Sequence, residues 1–183
     1  MDRARATAPT CRSIRRRDGN LEGWLEFVRE AVRTGGPNLA SVQICEEPNA
    51  DLPVVDGSIP NVLNALVEGV VAAKQEAGAL GRSVAVGFNA VPTFNPADTF
   101  WSELGALADD RFRQSLDFFP DVFRPIAAEQ LAEAVTAVLT AFRRTDLQRA
   151  GIPGSVAIRI CENGWPTGPD RSEQQQAAVL ETV

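Results

Sequence analysis

Two stretches of the 183-residue sequence place carboxylates where chemistry could use them: Gln43-Ile44-Cys45-Glu46-Glu47-Pro48-Asn49 and Ile158-Arg159-Ile160-Cys161-Glu162-Asn163-Gly164-Trp165-Pro166. In each, a short apolar run ends in Glu and then in Pro, Asn or Gly, the pattern of a buried strand that delivers polar groups at its C-terminal tip. A carboxyl pair can divide labour, one kept protonated to donate and the other ionised to attack or accept. A lone Glu at such a place is ordinarily a solvated loop carboxylate; two in matched contexts favour a shared site. Histidine is absent, which excludes His-dependent triads, His-bound metals and imidazole proton shuttles. Cys11, Cys45 and Cys161 are scattered and form no C-x-x-C pair, so they read as small buried apolar residues rather than disulfide, zinc or redox groups. Whatever the chain does chemically must rest largely on carboxylates, and no metal or cofactor is expected.

The elements that must position these residues alternate along the chain. Leu21, Trp24, Leu25, Val28, Ala31 and Val32 follow helical spacing, stopped by Gly35-Gly36-Pro37. Leu39 to Cys45 reads as a buried strand. A second helix is expected from Ser58 as N-cap, with Pro60 in its first turn, to Gly78 or Gly81. The strand Ser83 to Val91 follows, then a loop and a helix from about Thr99 to Ser115. Leu116 to Phe123 reads as a poor strand because Pro120 interrupts it. A long helix covers about Ala127 to Ala150, and Gly151-Ile152-Pro153-Gly154 separates it from the strand Val156 to Cys161. Ser172 with Gln175 three residues later is a capping-box pattern that opens a final helix. Such alternation predicts an α/β fold with a parallel sheet, in which strand C-termini gather distant residues on one face.

With both motifs placed at strand ends, the sequence from residue 20 onward resembles the clan of retaining glycoside hydrolases built on (β/α)8 barrels. These carry an acid/base in an Asn-Glu-Pro motif after strand four and a nucleophile after strand seven. Glu162-Asn163-Gly164 matches the second motif closely; Glu46-Glu47-Pro48 matches the first except that Glu46 stands where the family has Asn. The resemblance implies a partial barrel of about strands four to seven, with Glu47 as acid/base and Glu162 as nucleophile. The interval of 115 residues between them (162 − 47) suits three units of roughly 38 residues each. Glu46, in the place of an Asn that clamps the sugar's 2-hydroxyl, either binds substrate in an altered way or faces away. Trp165 is either a stacking face for a sugar ring or a loop anchor. Asn89, at the end of strand five, is a weaker lining candidate, and Arg124 either orients the nucleophile or caps strand six. Trp24 and Trp101 sit on apolar helix stripes and are expected in the core. A catalytically silent sugar-binding or interaction module derived from such a barrel is the alternative.

Charge divides the chain into two parts. Residues 1–17 hold six Arg against Asp2, a balance of +5, which leaves −11 for the rest of a chain of net −6. Seventeen of the 18 basic residues are Arg, and the leader has no interleaved aromatics, so it reads as a disordered or non-native segment rather than a nucleic-acid arm. Residues 18–183 form the single expected domain. No run approaches the ~18 apolar residues of a membrane span, and no secretion signal is visible, so the sequence as given reads as cytoplasmic, without membrane or nucleic-acid partners. A carbohydrate is the expected partner. Four strands of a barrel that needs eight leave open edges through which copies could associate.

Overall fold

A computed structural model describes residues 20–93, 95, 97–122, 128–162, 165 and 167–182. The basic leader with Cys11, and Arg124, Asn163 and Gly164 of the sequence expectations, lie outside the described residues. Asn20 opens the first helix, its side chain accepting from Gly23 N at 3.0 Å. That helix, α1 (Leu21–Gly35), buries Trp24, Val28 and Val32 at four-residue spacing, and Gly36 at φ 68° ends it. There follow β1 (Ser41–Gln43), α2 (Val62–Ala79), β2 (Ala85–Ala90), α3 (Phe100–Leu107), α4 (Asp110–Ser115), β3 (Asp117–Pro120), α5 (Ala128–Ala141) and α6 (Glu173–Thr182). The fold is mixed α/β, built on an open sheet of three parallel strands in the order β1-β2-β3.

Register follows from burial. Val86, Phe88 and Ala90 alternate along one face of β2 and are fully buried. Phe88 pairs with Phe118 of β3, and around these two rings gather Phe100 and Trp101 of α3 and Phe142 beyond α5, at centroid separations of 5.1 to 6.3 Å. The opposite face of β2 carries Gly87 and Asn89. A fourth parallel segment continues the ladder beyond β3: Phe118 N donates to Ala157 O at 2.9 Å, Arg159 N to Phe118 O at 2.9 Å and Val122 N to Glu162 O at 3.0 Å.

The structure redraws several expected elements. The strand expected over Leu39 to Cys45 keeps only its middle, because Cys45 and Glu47 adopt left-handed φ of 63° and 45° and turn the chain off the ladder. Ser58 does not cap α2. Pro60 forces Ile59 into extended backbone, so residues 56–58 form a separate 3-10 turn and the helix starts only after Asn61. The helix expected over 99–115 is broken at Ala108, where Asp109 accepts from Phe112 N at 3.0 Å and starts α4 anew. Pro120 does not interrupt β3 but ends it, its carbonyl still accepting from Cys161 N at 3.3 Å. The long helix passes through a π-helical turn, Phe142–Asp146, before a last α turn, Leu147–Arg149. Phe142 and Leu147 are five apart, a spacing that a wider turn brings to one buried face. Val156 to Cys161 is tied to the sheet by the bridge Phe118↔Ile158, not by a full strand. The capping box forms as the sequence indicates, with Ser172 N to Gln175 Oε1 at 2.7 Å and Gln175 N to Ser172 Oγ at 3.2 Å.

Gly87 is the tightest point between β2 and β3, since a Cβ there would fall on the Asp117 carbonyl. Gly87→Ala should destabilise the chain by about 1 to 3 kcal/mol, as overpacking against backbone does. Gly78, inside α2 with open space around it, provides the contrast: Gly78→Ala should be neutral or stabilise by up to about 1 kcal/mol. Urea midpoints of both variants check this; equal effects would refute the close approach.

Candidate active site

Each of the four parallel segments contributes one side chain to the C-terminal face of the sheet. Beyond β1 comes Glu47, from β2 Asn89, beyond β3 Asp121, and from the fourth segment Glu162. Pairing persists to these tips: Ile44 N donates to Gly87 O at 2.7 Å, Asp121 N to Ala90 O at 3.1 Å, and Asp121 bridges to Glu162 in parallel. The structure thus brings Glu47 and Glu162 together. Oxygens of Glu47, Asp121 and Glu162 all lie within 4.8 Å of one another.

Asn89 is the centre of this arrangement. Only 1% exposed, it accepts from Glu47 N at 2.6 Å through Oδ1 and donates through Nδ2 to Asp121 Oδ2 at 3.0 Å. A buried amide satisfied at both ends fixes a backbone and a carboxyl at once. The left-handed backbone of Glu47, uncommon for a residue with a Cβ, is retained by this bond and by a second clamp on the same loop. There Asp56, buried at 4% exposure, accepts from Glu46 N at 2.8 Å and returns its own N–H to Glu46 O at 3.0 Å. Asn49 makes a reciprocal pair with the Val91 backbone at 2.8 and 3.0 Å, tying the loop to the end of β2.

The electrostatics follow from burial and like charge. Burial pushes the Glu47 carboxyl above its ordinary value, with the charges of Glu162 and Glu46 adding to the effect. Asp121, 2% exposed, is pushed up to about 7 by burial, against the hydrogen bonds from Cys161 and Asn89, with Glu162 and Glu47 raising it further. Cys161 is exposed as a residue, a departure from the buried reading. Its thiol nevertheless lies 3.2 Å from both Phe119 O and Asp121 Oδ1, and burial raises it, so it stays a protonated donor. Cys45 is buried as expected. Among the described residues no Lys or Arg forms an ion pair with the three carboxylates.

Other expectations divide. Glu46 is exposed, and its charge raises Glu47. Trp165 is 8% exposed and packs against Leu131 and Val179, while Gln176 Nε2 donates to its carbonyl at 2.7 Å. That is the loop-anchor arrangement rather than a free stacking face. Trp24 and Trp101 are core, Trp24 Nε1 donating to Ala65 O at 3.0 Å. Asp121 went unnoticed in the sequence, although it stands at a strand tip like the other two acids; Pro120 before it devalued the strand that presents it. An open groove lined by Thr136, Leu139, Thr140, Arg143, Arg144, Ile158 and Ile160 shares no lining residue with this site.

Three oxygens so close could also share a divalent cation, yet acidic grouping alone specifies none. No family model, curated protein or solved structure matches the chain.

The raised carboxyls make a stability prediction. Asp121 at about 7, Asp146 at about 6 through burial, and Glu47 are all raised in the folded state, above unfolded values of about 4. Their stabilising contribution is therefore full below about pH 4 and is lost as pH rises through the folded values. Unfolding free energy should decline between about pH 4 and 7, by up to about 1.4 kcal/mol per pH unit for each proton released. Asp121→Asn should flatten the upper part of that decline. Urea titrations at several pH values test it, and a stability that rises over the same interval would contradict the assigned protonation.

Proposed function

We propose that the chain is a retaining O-glycoside hydrolase, with Glu47 as acid/base and Glu162 as nucleophile. The observation that supports this most is the approach of their carboxylate oxygens to within 4.8 Å at the C-terminal ends of parallel segments. Retaining enzymes hold the two carboxyls about 5 to 5.5 Å apart because the nucleophile must itself reach the anomeric carbon. The four parallel segments with their helices correspond, in this reading, to consecutive units of a (β/α) barrel, about strands four to seven.

The roles follow from the environments. Glu47, the carboxyl that burial raises, gives a proton to the glycosidic oxygen as the bond to the anomeric carbon breaks and Glu162 attacks that carbon. In the second step water loses a proton to Glu47 and its oxygen displaces Glu162. The sugar leaves with its original anomeric configuration. Glu46, exposed beside Glu47, accepts a hydrogen bond from the sugar's 2-hydroxyl in this reading.

A second reading, a sugar-binding or interaction module without turnover, is favoured by one observation: the described sheet is open, three strands and a bridged fourth segment.

A 2-deoxy-2-fluoro β-glycoside with a good leaving group separates the two. The fluorine slows both steps and the leaving group restores the first, so the glycosyl-enzyme should accumulate on Glu162 and be located by peptide mass spectrometry. Glu47→Ala should slow hydrolysis of unactivated substrates by about 10²- to 10⁴-fold, the usual worth of general acid–base catalysis, while sparing attack on the activated glycoside. Glu162→Ala should abolish both. Label on Glu46 or Glu47 would overturn the roles, and binding without label would favour the module.

A further inference from the structure

A double displacement uses two carboxyls, and this site holds three. Asp121 is buried, stands at the tip of β3 and contacts no cation among the described residues. Its oxygens accept from Asn89 Nδ2 at 3.0 Å and from Cys161 Sγ at 3.2 Å, and one of them lies within 4.8 Å of a carboxylate oxygen of Glu47. Two carboxyl groups can share a hydrogen bond only when one of them carries a proton, because an ionised carboxylate has no donor. The groups that face Asp121 are Glu47 from the loop after β1, with Glu46 beside it, Glu162 and Cys161 from the fourth segment, and the uncharged Asn89 from β2. Among the described residues the charged groups around it are carboxylates, so an ionised Asp121 would add a further negative charge to a space under 5 Å wide.

We propose that Asp121 is a positioning residue, a carboxylic acid that stays neutral and donates its proton in a hydrogen bond to Glu47, holding that acid/base in place. The inference rests on the hydrolase reading of the same site. In the first step the Glu47 O–H breaks and its proton moves to the leaving oxygen; the Asp121 O–H stays intact and stabilises the carboxylate that Glu47 becomes. In the second step water protonates Glu47, and Asp121 again neither gains nor loses a proton. Asn89 and Cys161 orient Asp121 from its far side, and Asn89 holds the Glu47 backbone in the same network, so acid/base and positioning residue share one support. Burial, which pushes Asp121 up to about 7, keeps it neutral over the acidic range. Above that, its ionisation removes the donor and adds charge, so activity should fall.

The test uses the full chain labelled with ¹³C at Asp and Glu carboxyl carbons, titrated by NMR as wild type, Asp121→Asn, Asp121→Ala and Glu47→Gln, the last to assign Glu47. One Asp carbon should titrate near pH 7 and vanish from the Asp121→Asn spectrum. The Glu47 midpoint should be kept in Asp121→Asn, whose amide replaces one neutral donor by another, and should rise in Asp121→Ala, which has none. Cys161→Ala, which removes a bond favouring the ionised form, should raise the Asp121 midpoint further. On an aryl β-glycoside, the alkaline limb of kcat/KM, which reports proton loss from Glu47, should move upward in Asp121→Ala and return in Asp121→Asn, where a merely structural role would scale the whole profile. An Asp121 midpoint in the ordinary carboxylate range, a Glu47 midpoint that falls in Asp121→Asn or is indifferent to Asp121→Ala, or an alkaline limb unmoved in Asp121→Ala would each overturn the inference. Failure of the hydrolase reading shows separately, as the absence of fluoroglycoside label on Glu162 while the carboxyl titrations behave as stated.

Discussion

A single buried amide, Asn89, sets the geometry on which the candidate site depends. It reaches across the tip of β2 to hold the Glu47 backbone on one side and the Asp121 carboxyl on the other. Neither bond has a substitute nearby in water, because Asn89 is almost wholly enclosed. Losing a buried partner costs about 1 to 3 kcal/mol for each group left unsatisfied, so the amide is a structural necessity as well as a spacer. What it spaces is charge. Together with the Asp56 clamp on the same loop, it holds Glu47 in left-handed backbone beside two further carboxyls.

The sheet beneath makes that amide's position inevitable. Parallel pairing at fixed register puts Asn89 beside Phe119 and one residue short of the tip, while Phe88 and Phe118 point the opposite way into the aromatic cluster. The same alternation that builds the core from even-numbered residues of β2 therefore aims the odd-numbered Asn89 into the site. Gly87 lets β3 come close enough for this register. Core, register and site are consequences of one pattern of alternation.

Much of this was legible in the sequence, and the failures have physical causes. Glu47 and Glu162 could be singled out because two acids end apolar runs in matched contexts, and the alternation of helix and strand predicted that such ends converge. Helix starts set by local side-chain bonds, such as the capping box at Ser172, were also readable. Asp109 as a second cap was missed because the apolar stripe runs through the break that it creates. Asp121 was missed because Pro120 argues against a central strand, whereas proline at the last strand position still leaves its carbonyl to pair. The bend at Cys45 and Glu47 could not be seen either: neither residue favours left-handed backbone, and the bonds that hold it come from Asn89 and Asp56, 42 and 10 residues away.

The central claim is that Glu47 and Glu162 act on opposite sides of one glycosidic bond, with Glu162 close enough to attack the carbon directly. The stereochemistry of hydrolysis tests that most directly. Proton NMR of an aryl β-glycoside during the first minutes of turnover, before mutarotation, reports which anomer of the sugar is released. The account predicts the β-anomer first, the product of two displacements. Initial release of the α-anomer would mean a single displacement by water and contradict the role assigned to Glu162.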